Sequence, residues 1–87
     1  MFINVRKGYK MQEKIEQIES YVLDFIKKNP EFCKVGKILS FPSAFFTKYD
    51  KEEKNAAFVD MIENGWIEGE DLEHIVLTSK GQDKANE

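Results

Sequence analysis

The stretch Asn64-Gly65-Trp66-Ile67-Glu68-Gly69-Glu70-Asp71-Leu72-Glu73-His74-Ile75-Val76-Leu77-Thr78-Ser79-Lys80-Gly81 decides how the rest of the chain is read. Gly65 stops a helix, because glycine enters the left-handed conformation beyond a helix end without steric cost, and apolar residues follow it at once. Trp66-Ile67 and Ile75-Val76-Leu77 are β-prone runs. The polar segment between them, with Gly69 inside it, has the composition of a hairpin loop. The expectation is a helix, a glycine turn and an antiparallel hairpin over 66–78.

Moving toward the N-terminus, Asp50 followed three residues later by Glu53 has the form of a capping box, which predicts a helix over 51–64. Its spacing turns Phe58, Met61 and Ile62 inward and Lys51, Asn55, Ala56 and Val59 outward. Ser40 is placed to cap a shorter helix over 41–48 that takes Pro42 into its first turn, where no intrahelical donor is needed, and carries Ala44, Phe45 and Phe46 to the core. Phe32, Cys33, Val35, Ile38 and Leu39 fit either a short strand or a helix start, and an extended segment is the favoured reading. Earlier still, Ile15, Ile18, Val22, Phe25 and Ile26 recur at three- and four-residue steps, predicting a helix over 12–28 that ends at Asn29-Pro30. The expected core is Ile18, Val22, Phe25, Phe45, Phe58, Met61, Ile62, Trp66, Ile75 and Leu77.

Composition narrows the functional classes. With 87 residues, 41% of them hydrophobic, the chain has material for one small core and not two. Thirteen basic and sixteen acidic side chains give a net charge of -3, so any attraction to nucleic acid or anionic lipid must come from local patches. Cys33 is alone, which excludes an internal disulfide and a multi-cysteine zinc site, and it reads as a small buried hydrophobe in a reducing cytoplasm. Met1 to Val5 is apolar but too short for a signal-peptide core, and no run reaches the roughly 18 apolar residues that span a bilayer. Met11 offers an alternative start that would make the first ten residues dispensable.

The Phe58 to Met61 apolar pair before Gly65, the Asp50 cap, the Ala44 to Phe46 helix and the Leu77-Thr78-Ser79-Lys80-Gly81 strand end together resemble winged helix-turn-helix domains, over about residues 13–81. The resemblance implies an α+β, mainly α, architecture of three helices and a C-terminal β-hairpin wing. It divides the chain into an N-terminal arm at 1–11, a winged-helix domain at 12–81 and a tail at 82–87. In that family the third helix enters the DNA major groove, and many members are small dimeric transcriptional regulators. Fold alone leaves the activity open, since winged helices also serve as protein-interaction modules.

Carried onto this chain, the DNA reading uses Lys51, Lys54 and Asn55 on the third helix, Asn55 having an amide able to pair bidentately with adenine. Lys34, Lys37 and Arg6 would contact phosphates, Arg6 with Lys7 and Lys10 forming a basic arm. The same arm residues also read as a solvated chain end. Two features oppose a duplex: Asp50 to Asn55 sums to -1, and the wing carries Glu68, Glu70, Asp71 and Glu73 without a lysine or arginine. The second reading is therefore a module whose acidic wing meets a basic protein partner. Trp66 is read as hairpin packing and His74, the single histidine, as a surface residue. The apolar start Met1-Phe2-Ile3-Val5 is expected to be partly buried in a homodimer. No Gly-rich phosphate loop, catalytic triad spacing or metal cluster is legible, so neither an enzyme nor a cofactor is expected.

Overall fold

A computed structural model describes residues 2–70 and 74–87, with side chains for all of these except residues 2–10 and Ser43. The elements run α1 (Phe2–Lys28), α2 (Ser43–Phe46), α3 (Lys51–Glu63), β1 (Ile67–Gly69), β2 (Ile75–Leu77) and α4 (Ser79–Ala85). The domain is thus mainly helical, with a two-stranded antiparallel hairpin in which Ile67 faces Leu77 and Gly69 faces Ile75. The extended segment after α1 lies along the other edge of β2. Val35 bridges Leu77 and Ile38 bridges Val76, while Gly36 N–H donates to Leu77 O at 2.9 Å and Leu39 N–H to Ile75 O at 2.8 Å.

Both ends of α3 follow their local signals. Asp50 Oδ1 accepts from Glu53 N–H at 2.8 Å while Asp50 N–H donates to Glu53 Oε1 at 2.9 Å, so two of the amides orphaned at the helix start are satisfied reciprocally. At the other end Gly65 takes φ +78°, its N–H donates to Ile62 O, and Trp66 N–H donates to Met61 O at 3.0 Å. This pair of bonds is the Schellman closure, and it turns the chain directly into the hairpin.

Three boundaries differ from the sequence expectation. The helix expected from residue 12 begins at Phe2, so the backbone expected as an arm is the first part of α1. The reason is that only Gly8 interrupts that stretch, and one glycine costs about 1 kcal/mol, too little to end a helix that is already growing. The helix expected over 41–48 contracts to Ser43–Phe46, with Pro42 rather than Ser40 at its N-cap and no side-chain cap bond. Residues 82–85, expected in the tail, form the second half of α4, which Thr78 caps by accepting from Gly81 N–H. The expected burial of Phe2, Ile3 and Val5 concerns side chains outside those described.

The core is a layer between α1, α3 and the hairpin. Ile18, Val22 and Ile26 project from one stripe of α1, Ala57 and Met61 from α3, and Ile67, Ile75 and Leu77 from the strands, with Cys33, Leu39, Tyr49 and Ala85 closing the edges. Each large aliphatic side chain removed from water there contributes about 1.5 to 3 kcal/mol. Of the expected core, Phe25, Phe45, Phe58, Ile62 and Trp66 are half-buried and pack against this layer from outside. Aromatic packing rather than helix length anchors α2. Tyr21 of α1 stacks on Phe45 at 3.7 Å between centroids, Phe25 meets Phe41 edge-on at 5.0 Å, and Tyr49 Oη donates to Gln17 Oε1 at 2.9 Å.

The Leu-Thr-Ser-Lys-Gly strand end is an internal clamp. Thr78 Oγ1 lies 2.5 Å from Gly65 O and 2.9 Å from Trp66 O, and the aliphatic stem of Lys80 covers Gly65. A side chain at Gly81 would collide with Trp66 O, so only glycine allows α4 to pack this tightly on the turn. Three residues of the run thereby hold the exit of α3 in place.

Candidate nucleic-acid interface

The orientation of α3 follows from what it buries. Ala57 and Met61 are fully enclosed against α1 and the hairpin, and Lys51, Asn55 and Val59 recur every four residues on the opposite side, all exposed. Val59 keeps half of its surface in water although it is apolar. The result is a stripe carrying an ammonium, an amide and a branched apolar group. Lys54 is half-buried beside this stripe, and Ala56 is half-buried as well.

The acidic residues at the start of α3 are not equivalent. Asp50 and Glu53 direct carboxylate oxygens onto backbone amides at the start of the helix, which uses the helix dipole favourably. Glu52 is exposed on the first turn. On the hairpin Glu68 and Glu70 are exposed, whereas Asp71 and Glu73 lie outside the described residues.

Lys34 and Lys37 are brought together by a turn in which Lys37 N–H donates to Lys34 O at 3.0 Å, and both side chains are exposed. They hang from the segment that edges β2, whereas Lys51 and Asn55 hang from α3, so two different elements carry the two cationic groups. Arg6 belongs to the first turns of α1, and its side chain lies outside the description. Trp66 packs half-buried at the hairpin with the Lys84 ammonium 5.7 Å from its ring centroid, and His74 is exposed beside β2.

One partly buried ionisable contact joins α3 to α1. Glu19 of α1 faces Asp60 of α3, and its carboxyl is pushed up to about 8, first by burial, then by the hydrogen bond and charge of Asp60 and by the charge of Glu16. Glu19 Oε2 is enclosed and meets no donor. A protonated Glu19 donating to Asp60 satisfies this arrangement, while Asp60 Oδ2 accepts from Asn64 Nδ2 at 3.3 Å. No local pattern announces this pair, because the partners are far apart in the chain. Burial also pushes the Cys33 thiol up.

Among the described residues no group of three or more His, Cys, Asp or Glu side chains is arranged to hold a metal ion, and no helix is long and apolar enough to cross a membrane. Compared with known protein families, curated proteins and solved structures, the chain matches none.

Proposed function

We propose that this chain is a winged helix-turn-helix DNA-binding domain of a small transcriptional regulator, with α3 as the helix that enters the major groove. The order of helix, edge segment, two helices and hairpin supports the fold reading, since the segment at 35–39 makes isolated bridges to the free edge of the two-stranded hairpin. The observation that carries the activity is the exposed stripe Lys51, Asn55 and Val59 opposite the buried Ala57 and Met61. These are three of the side-chain chemistries that read base edges: a cation for guanine acceptors, an amide for adenine and an apolar group for the thymine methyl. Lys34, Lys37 and Arg6 are assigned to phosphates. The domain acts as a homodimer joined through the first part of α1, reaching half-sites about one helical turn apart.

The test is affinity for random duplex DNA as a function of salt, because phosphate contacts produce a steep linear dependence. Lys34→Ala or Lys37→Ala, at positions assigned to phosphates, weakens binding to all sequences and lowers the slope by about one. Asn55→Ala costs about 1 to 3 kcal/mol at a single base step.

The exposed carboxylates Glu68 and Glu70 favour a second reading, in which the hairpin meets a basic protein and no duplex is bound. Absence of salt-dependent affinity in both the wild type and a Glu68→Gln/Glu70→Gln variant decides for that reading.

A further inference from the structure

We propose that the cleft between the end of α1 and the segment that follows it docks an acidic, amphipathic peptide segment of a partner protein. Three of the exposed large hydrophobic residues fall within seven positions: Phe32 is 74% exposed, Val35 43% and Ile38 61%. Phe32 and Ile38 form the rim of a cleft of about 410 Å³ whose walls include Phe25, Cys33, Asn29 and Ser40. Apolar groups held open to water around a concavity are the usual mark of a docking surface.

Charge identifies the occupant. Residues 27–38 carry four lysines and one glutamate, Glu31, a local charge of +3 on a chain whose net charge is -3. Lys34 and Lys37 stand exposed within the apolar stretch itself, and Lys28 is paired with Asp24 at 3.0 Å. A ligand that satisfies this face must present carboxylates and apolar side chains together. A DNA backbone supplies the charge and leaves Phe32 and Ile38 unmatched. A second copy joined by a two-fold axis places the Lys34 and Lys37 cluster against itself. A flat bilayer does not fill a cleft, and the acidic chain as a whole is repelled by anionic lipid. An amphipathic acidic peptide, seating one apolar side chain in the cleft with its carboxylates toward the lysines, meets every condition.

The docking site shares Lys34 and Lys37 with the phosphate contacts proposed above, and its test separates the two ligands through Phe32 and Ile38, which only the peptide needs. The probe is a fluorescein-labelled synthetic peptide with Asp and Glu on one helical face and Leu and Phe on the other, followed by fluorescence anisotropy. One control peptide replaces the acids with lysine, and another replaces the apolar residues with serine. The acidic amphipathic peptide binds and both controls bind at least about tenfold more weakly. Phe32→Ser/Ile38→Ser lowers its affinity by about tenfold or more, as expected for removal of central contacts, while the affinity for duplex DNA stays unchanged. Lys34→Glu/Lys37→Glu lowers the affinity for the acidic peptide and raises it for the lysine peptide. Because all four positions are exposed, circular dichroism of the variants matches the wild type. Equal binding of the three peptides, or variants that bind like the wild type, overturns the proposal. Binding to phosphatidylserine vesicles that is lost in Phe32→Ser/Ile38→Ser, with no peptide binding, overturns it in favour of a lipid surface.

Discussion

Replacing Glu19 with glutamine tests the ionisable contact between α1 and α3. The wild-type carboxyl titrates near 8 in the folded protein against 4.5 for an ordinary glutamate, with burial the first cause and Asp60 the second. Since the folded state binds the proton more tightly, the stabilisation is fully present below about pH 4.5, declines as pH rises and is gone above about pH 8. The full shift would correspond to roughly 5 kcal/mol at about 1.36 kcal/mol per pH unit. Glu19 is only partly buried, so screening by solvent reduces this to about 1 to 2 kcal/mol. Glu19→Gln keeps the shape, offers Asp60 an N–H donor at every pH and removes the titration. Urea denaturation followed by circular dichroism between about pH 5 and pH 9 shows the wild type losing about 1 to 2 kcal/mol that the variant retains. The two proteins are of similar stability at the acidic end and the variant is the more stable one at the alkaline end. Comparing the pair cancels titrating groups that do not interact with Glu19. Parallel pH profiles, or a wild type that gains stability relative to the variant as pH rises, refute the proton-sharing arrangement.

Further outcomes follow from burial and capping. Met61→Ala, at a position with no exposed surface, costs about 2 to 5 kcal/mol in urea denaturation, whereas half-buried Phe58→Ala falls below the roughly 3 to 5 kcal/mol of a fully buried ring. Thr78→Ala removes the cap of α4 and its contacts to the Gly65 turn, for a loss of about 0.5 to 2 kcal/mol. Gly81→Ala drives a methyl group into Trp66 O, and its thermal midpoint drops further than that of Thr78→Ala. The Cys33 thiol, enclosed and with its ionisation pushed up, reacts with a thiol reagent at the rate of unfolding rather than at the rate of an exposed cysteine.

The elements whose signals act over a few residues were legible in the sequence. The Asp50 and Glu53 capping box, the left-handed Gly65 and the paired strands all appear where the sequence places them, because caps, glycine turns and β-branched runs are decided within a single turn of chain. The outward positions of Lys51, Asn55 and Val59 follow equally from helical period, once Met61 is assigned to the core. What depended on distant partners was not legible. The four-residue α2 is docked by Tyr21 stacking on Phe45 across two elements, a contact that no local signal in the sequence announces. Thr78 and Gly81 read as a strand end, and only the folded chain shows that they cap α4 and clamp the Gly65 turn. The apolar period of residues 32–39 distinguishes Cys33 and Leu39, which are enclosed, from Phe32 and Ile38, which are not, only after the segment is laid along β2. Local sequence sets where the backbone turns and caps; burial, and with it the ionisation of Glu19, depends on which surfaces meet, and that is a property of the tertiary structure alone.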